Sequence, residues 1–301
     1  MTRALAVLVV TGAMAVPVSV SAQVDLSGAW RPMLHEDLGH RLDEAGGAPG
    51  ICCAGGPAIG DYTGLPINAA ARLKADSWDA RVESAPERQT ILQPGVYWAL
   101  SPGGIRIQPI VDETTQRLVA LTVYRAGLAG ATSRVIWMDG RPHPPGHAAH
   151  TWQGFSTGAW RGHVLTVTTT HLKAGFIRRN GVPSSDTAIV TEQFMRHGGY
   201  LTLARVIQDP IYLDEPHLTS VTWQIDPAMQ LPPSPSGTIV DEVPGAQKAY
   251  VPHHLPGTNA GLREYANTFR LPFEATRGGK ETMYPEYQRV LHALMAGRGP
   301  S

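Results

Sequence analysis

The residues best suited to chemistry crowd into one short stretch. Trp137-Met138-Asp139-Gly140-Arg141-Pro142-His143-Pro144 is followed closely by His147, His150, Trp152 and Ser156. Asp139, Arg141, His143 and His150 together supply an acid, a base and a fixed cation, the parts needed to move a proton and stabilise a developing anion. In such a site Asp139 or His143 accepts the proton and Arg141 holds the anion. His171, at the end of the run 166–170, completes the candidate catalytic set. His143, His147 and His150 also permit a metal site. In a Pro-rich loop, however, their spacing lacks the fixed geometry of two histidines one helical turn apart, and it leaves both metal and cofactor open. The plain structural alternative is a solvated loop whose Asp139-Gly140 turn aims Arg141 at a salt bridge.

Other polar groups lie apart from this stretch. Arg178-Arg179-Asn180 offers positive charge at a strand margin, suited to a carboxylate or phosphate, or simply a solvated turn. His35-Glu36-Asp37 with Arg41, Asp61-Tyr62 with Asn68 and Arg72, His253-His254, and Tyr284-Pro285-Glu286-Tyr287 each read first as surface or packing residues. Collectively they matter more, because polar excursions from both ends of the chain are able to cover one mouth of a barrel and build a site there. Gly154-Phe155-Ser156-Thr157-Gly158 matches the nucleophile elbow only loosely, since its Ser sits in a strand-like context. No phosphate-binding loop and no dinucleotide fingerprint occurs.

The elements that must position these groups are strands. Apolar residues recur with a period of two from Gln89 onward, over residues 95–100, 105–111, 118–124 and 134–138, then 152–160, 164–172, 188–197, 200–208 and 218–224. Short Gly-containing turns separate most of them: Arg161-Gly162-His163, Asn180-Gly181 and His197-Gly198-Gly199 sit where a hairpin reversal needs positive φ. So many strands without intervening helices predict a mainly β fold. A closed antiparallel barrel of about residues 89–225 is preferred, because closure removes exposed edges. Residues 31–88 and 226–301 form irregular and short helical elaborations around it. Helices are expected over 69–80, capped by Asn68, near 259–268, and after Pro285. Within the strand 164–172, alternation puts His171 on the side of Val167 and Thr169.

Composition and ends narrow the function classes. The 25 Lys plus Arg balance the 25 Asp plus Glu, so there is no electrostatic footprint for nucleic acid. A small-molecule ligand or substrate is the expected partner, and oligomeric state is left open. Residues 1–22 begin with Arg3, continue as an apolar run to Val18 and end Val20-Ser21-Ala22, which is the pattern of a secretory signal peptide. This predicts export to the periplasm or outside the cell, no stable membrane insertion, and a single β-rich domain over 23–301. The only two cysteines, Cys52 and Cys53, are adjacent, so a bond between them would close only a small strained ring.

Two resemblances add to this. Asp25-Leu26-Ser27-Gly28-x-Trp30, Gly60-Asp61-Tyr62-x-Gly64-Leu65-Pro66-Ile67-Asn68, Met138-Asp139-Gly140-Arg141-Pro142-His143-Pro144, Thr151-Trp152-x-Gly154-x-Ser156-x-Gly158 and Glu281-Thr282-Met283-Tyr284-Pro285-Glu286-Tyr287 resemble the signatures of an uncharacterised family of exported bacterial proteins. The likeness implies export and a β-rich fold. Separately, Gly28-Ala29-Trp30 in a short extended segment resembles the first strand of lipocalin-like (calycin) barrels, in which a Trp plugs one end. Two functions follow: an exported barrel that binds a small molecule with polar groups at its mouth, or an acid–base enzyme, a hydrolase, lyase or isomerase, that uses Asp139, Arg141, His143, His150 and His171.

Overall fold

Along β10 (Tyr200–Gln208) side chains alternate between buried and more exposed without a break, and β9 (Ile189–His197) and β6 (Val164–Thr170) do the same over most of their length. That alternation is what a sheet with one face on a core produces. The computed structural model describes residues 24–33, 59–78, 96, 104–127, 130–178, 180–231 and 254–297. Residues 1–22, Cys52 and Cys53, the His35 cluster, Arg179, His253 and nearly all of the strand expected at 95–100 lie outside them.

Nine strands close into a barrel in the order β1 (Gly28–Pro32), β11 (His217–Ile225), β10, β9, β6, β5 (Phe155–Arg161), β4 (Gly130–Trp137), β3 (Leu118–Gly127) and β2 (Gly104–Val111). The expected mainly β barrel is what forms, with one departure from pure antiparallel pairing. β4 and β5 run parallel, through Ile136 opposite Ser156 and Trp137 opposite Thr157. An odd number of strands cannot alternate direction all the way round a ring, so at least one parallel interface is unavoidable. It falls where the long connection 138–154 returns the chain over the barrel before β5 begins. β7 (Gly175–Arg178) and β8 (Val182–Ser184) form a separate hairpin inserted between β6 and β9. Both strands are too short to carry a period-two pattern, whereas the Asn180-Gly181 turn between them has the positive φ its sequence predicts, Gly181 at 89°.

Inside the barrel, Trp30, Ile105, Val123, Ile136, Leu165, Phe194, Leu203 and Trp223 belong to one buried apolar cluster. Trp30 is fully buried and its indole N–H donates to Leu26 O. A second cluster joins inward-facing Val190 and Ile207 to Tyr62, Leu65, Ile67, Ala71, Ala75, Ile177 and Val182. It therefore caps the opposite end of the barrel with the 59–67 segment, α1 (Ala69–Ser77) and the β7–β8 hairpin. Asn68 caps α1 as expected, its Oδ1 accepting from Ala71 N at 3.0 Å. The C-terminal part supplies a 3-10 turn and α2 (Glu264–Thr268), then two further 3-10 turns and α3 (Tyr287–Ala296). Among the described residues no helix is long and apolar enough to cross a membrane.

Candidate functional site

The connection 138–154 lies against the outer wall of β5 and β6. On these strands Ser156, Leu165, Val167 and Thr169 are buried, whereas Thr157 and Thr170 are half-exposed and face outward. His143 docks between the two outward threonines. Its Nδ1 lies 2.7 Å from Thr170 Oγ1, its Nε2 lies 2.8 Å from Thr157 Oγ1, and its ring meets Phe155 edge-on.

His171 reaches the same hydroxyl, its Nδ1 2.7 Å from Thr170 Oγ1, while Nε2 bonds Pro145 O at 3.0 Å. The alternation rule had placed His171 with Val167 and Thr169. Instead β6 ends at Thr170, and His171 adopts a left-handed conformation, φ 56°, which turns its ring to the Thr170 side. His150 completes the group: its Nδ1 bonds Leu172 O at 2.9 Å, and its ring stands 5.2 Å from that of His171.

Proton directions follow from the acceptors. A carbonyl only accepts, so His171 donates from Nε2 to Pro145 O, and when its Nδ1 carries no proton it accepts there from the Thr170 hydroxyl. Thr170 has spent its single proton and accepts from His143 Nδ1–H; His143 Nε2 then accepts from Thr157. One ordered chain results: Thr157, His143, Thr170, His171, Pro145 O. Burial, reinforced by nearby His171, lowers the His143 pKa.

Asp139 and Arg141 do not join this group. Arg141 grips Asp139 with Nε, 2.9 Å and 3.0 Å from its two oxygens, and with Nη2 at 2.5 Å. The guanidinium also stacks on Trp137, 3.4 Å from the ring centroid. The hydrogen bond from Arg141 holds the Asp139 carboxyl below the usual range. This is the salt-bridged turn of the structural alternative: of the five residues, His143, His150 and His171 lie together, while Asp139 and Arg141 bond each other. Each ring nitrogen of His143 and His171 is already bonded, which makes the arrangement a clasp between loop and barrel wall. Among the described residues, no three His, Cys, Asp or Glu side chains are placed to hold a metal ion.

Gly154 and Gly158 serve the same wall. A Cβ on Gly154, φ 68°, would stand 2.5 Å from Thr170 O, and one on Gly158 would stand 2.6 Å from Met138 Sδ. Ser156 is buried, sharing a hydrogen bond with Thr169 across 2.8 Å.

The other sequence clusters tie the cap together. Tyr62 donates to Asp76 Oδ1 at 3.0 Å, Asp76 pairs with Arg277, and Arg72 donates to Arg277 O at 2.9 Å. Burial raises the Tyr62 pKa, with Asp76 adding to it. Asn180 donates to Asp61 O at 2.8 Å, and Tyr284 donates to Glu215. His254 N bonds Ser77 O at 2.7 Å. Glu286 lies at the N-terminal boundary of α3 without a side-chain cap bond, and Tyr287 begins that helix.

A polar layer, absent from the sequence expectations, lies inside the barrel. Inward positions run Leu201, Leu203, Arg205, Ile207 along β10; Phe194, Glu192, Val190 along β9; and Trp223, Val221, Thr219, His217 along β11. Charge is thus sandwiched between the two apolar clusters. Arg134 of β4 reaches Glu192 at 2.6 Å, and both side chains are almost wholly buried. Burial lowers Arg205 to a pKa of about 10, against the pull of Glu192, and it stays a cation at neutral pH. His217 falls to about 3, first from burial and then from Arg178 and Arg205, and stays neutral. The signal was parity: Arg205, Glu192, Arg134 and His217 occupy the same alternate positions as the buried apolar residues of their strands.

Compared with protein-family models, curated proteins and solved structures, the chain matches none of them.

Proposed function

We propose that this is a small-molecule-binding β-barrel protein of an exported bacterial family, working in the periplasm or outside the cell and meeting its ligand at the capped end. The observation that carries this reading is the buried polar layer of Arg134, Glu192, Arg205 and His217, lying beneath a cap built from separate segments of the chain. Burying charge inside a barrel is costly. A purely structural plug is served better by the apolar residues that fill the other end, whereas a few placed polar groups among apolar walls suit ligand recognition. Export is supported by residues 1–22. Expression of the full chain in a bacterium, followed by fractionation, intact mass and native mass spectrometry, tests both parts. A periplasmic product starting near Gln23 and carrying a bound small molecule supports the reading; a cytoplasmic, full-length, ligand-free product sinks it.

The second reading, acid–base catalysis, is favoured by the convergence of His143, His150 and His171 about Thr170. Turnover on a panel of hydrolase, lyase and isomerase substrates that survives Asp139→Asn but is lost in His143→Ala and His150→Ala would support it.

A further inference from the structure

Two polar side chains on the inner wall of β10 and β11 keep hydrogen-bonding capacity that the described residues do not use. Arg205 is 1% exposed and His217 is 5% exposed. Arg205 donates from Nε to Thr219 Oγ1 at 3.2 Å and from Nη1 to Val96 O at 2.5 Å. Both acceptors are neutral. Among the described residues, neither Arg205 Nη2 nor His217 Nε2 has a hydrogen-bond partner. Register brings the two residues together: Arg205 stands opposite Thr219 and Ile207 opposite His217, so they are diagonal inward neighbours, a separation of roughly 7–8 Å that long side chains span. Glu192, the carboxylate whose charge acts on Arg205, has Oε2 bonded to Arg134.

We propose that Arg205 and His217 form an internal binding site for the carboxylate of a small organic anion, with Arg205 Nη2 and His217 Nε2 as its two points of recognition. The proposal rests on the ligand-binding reading above and gives the ligand its chemical class. The hydrogen bonds that Arg205 makes go to neutral oxygens, of Thr219 and Val96, so its guanidinium suits one negative charge. Two oxygens match two separate nitrogens on adjacent strands. Inorganic phosphate would bring more charge and more acceptor atoms than two nitrogens satisfy. The neighbouring Ile207 and Val190 belong to the second apolar cluster, so a compact apolar substituent on the carboxylate suits the surroundings.

The test uses the full chain in carboxylate-free buffer. Thermal unfolding is followed in sodium benzoate, acetate, phosphate and chloride at matched ionic strength, for the wild type, Arg205→Met, Arg205→Lys and His217→Gln. The expected result is a carboxylate-specific rise in Tm, roughly 5–10 °C at a hundredfold excess over Kd, lost in both Arg205 variants. His217→Gln, which keeps the cation, is expected to raise the half-saturating concentration about tenfold and decides the matter if the Arg205 variants do not fold. Equal shifts in chloride or phosphate, or an unchanged response in the variants, overturn the proposal. Native mass spectrometry separates the two levels. A retained neutral molecule with no carboxylate response overturns the anionic class alone, whereas no retained mass and no response overturn the binding reading as well.

Discussion

His143 and His171 direct their Nδ1 atoms at one hydroxyl, Thr170 Oγ1, each from 2.7 Å. One histidine comes from the 138–154 connection and the other from the end of β6, so a single threonine fastens the loop to the barrel. Thr170→Val keeps the shape and removes both bonds. It is expected to cost about 1–3 kcal/mol in urea unfolding, and to raise amide exchange in the loop well above that of β9 and β10. Unchanged exchange would refute the clasp.

His217 couples stability to pH. Its ordinary pKa is 6.5 and its folded value about 3, so below 6.5 the unfolded chain binds the proton that the folded one refuses. The stabilising contribution is present above 6.5 and is lost progressively as pH falls toward 3. Between pH 7 and pH 5 the loss is about 2 kcal/mol. His143, also lowered, acts in the same direction. Urea unfolding at the two pH values should show a smaller drop for His217→Gln than for the wild type; parallel drops would count against the buried neutral state.

Gly154→Ala and Gly162→Ala separate backbone strain from collision. Both positions have positive φ, 68° and 60°, but only at Gly154 would a Cβ strike backbone, 2.5 Å from Thr170 O, while nothing lies within 4 Å at Gly162. Gly162→Ala is expected to cost about 1 kcal/mol and Gly154→Ala clearly more. Tm values for the two variants check the order.

The cap should open when its ion pair is cut. Asp76 accepts from Tyr62 and pairs with Arg277, and both partners of the pair are largely buried. Asp76→Asn is expected to destabilise the cap by about 1–3 kcal/mol. The expected readout is faster limited proteolysis within residues 254–283 while the barrel strands resist. Uniform loss of protection would mean that cap and barrel unfold together.

Local patterns were legible from the sequence because they depend on neighbours a few residues away. Period-two alternation marked β2, β3, β6, β9, β10 and β11, Asn68 announced the start of α1, and the Gly162, Gly181 and Gly198 turns all carry positive φ. The clustering of His143, His150 and His171 was also legible in part, since two of them share one loop.

Partnership between distant positions was decided only by the tertiary structure. Whether Arg141 reaches His143 or folds back onto Asp139 depends on a competition between nearby groups, and a bidentate carboxylate beside Trp137 wins. Which wall His171 faces turned on one left-handed residue at the strand end. Arg205 and His217 share the parity of the buried apolar residues of their strands, but only the pairing of β10 with β11 set them diagonally against each other. Their separation in sequence carries no information about that register, because register is chosen by the closure of all nine strands at once.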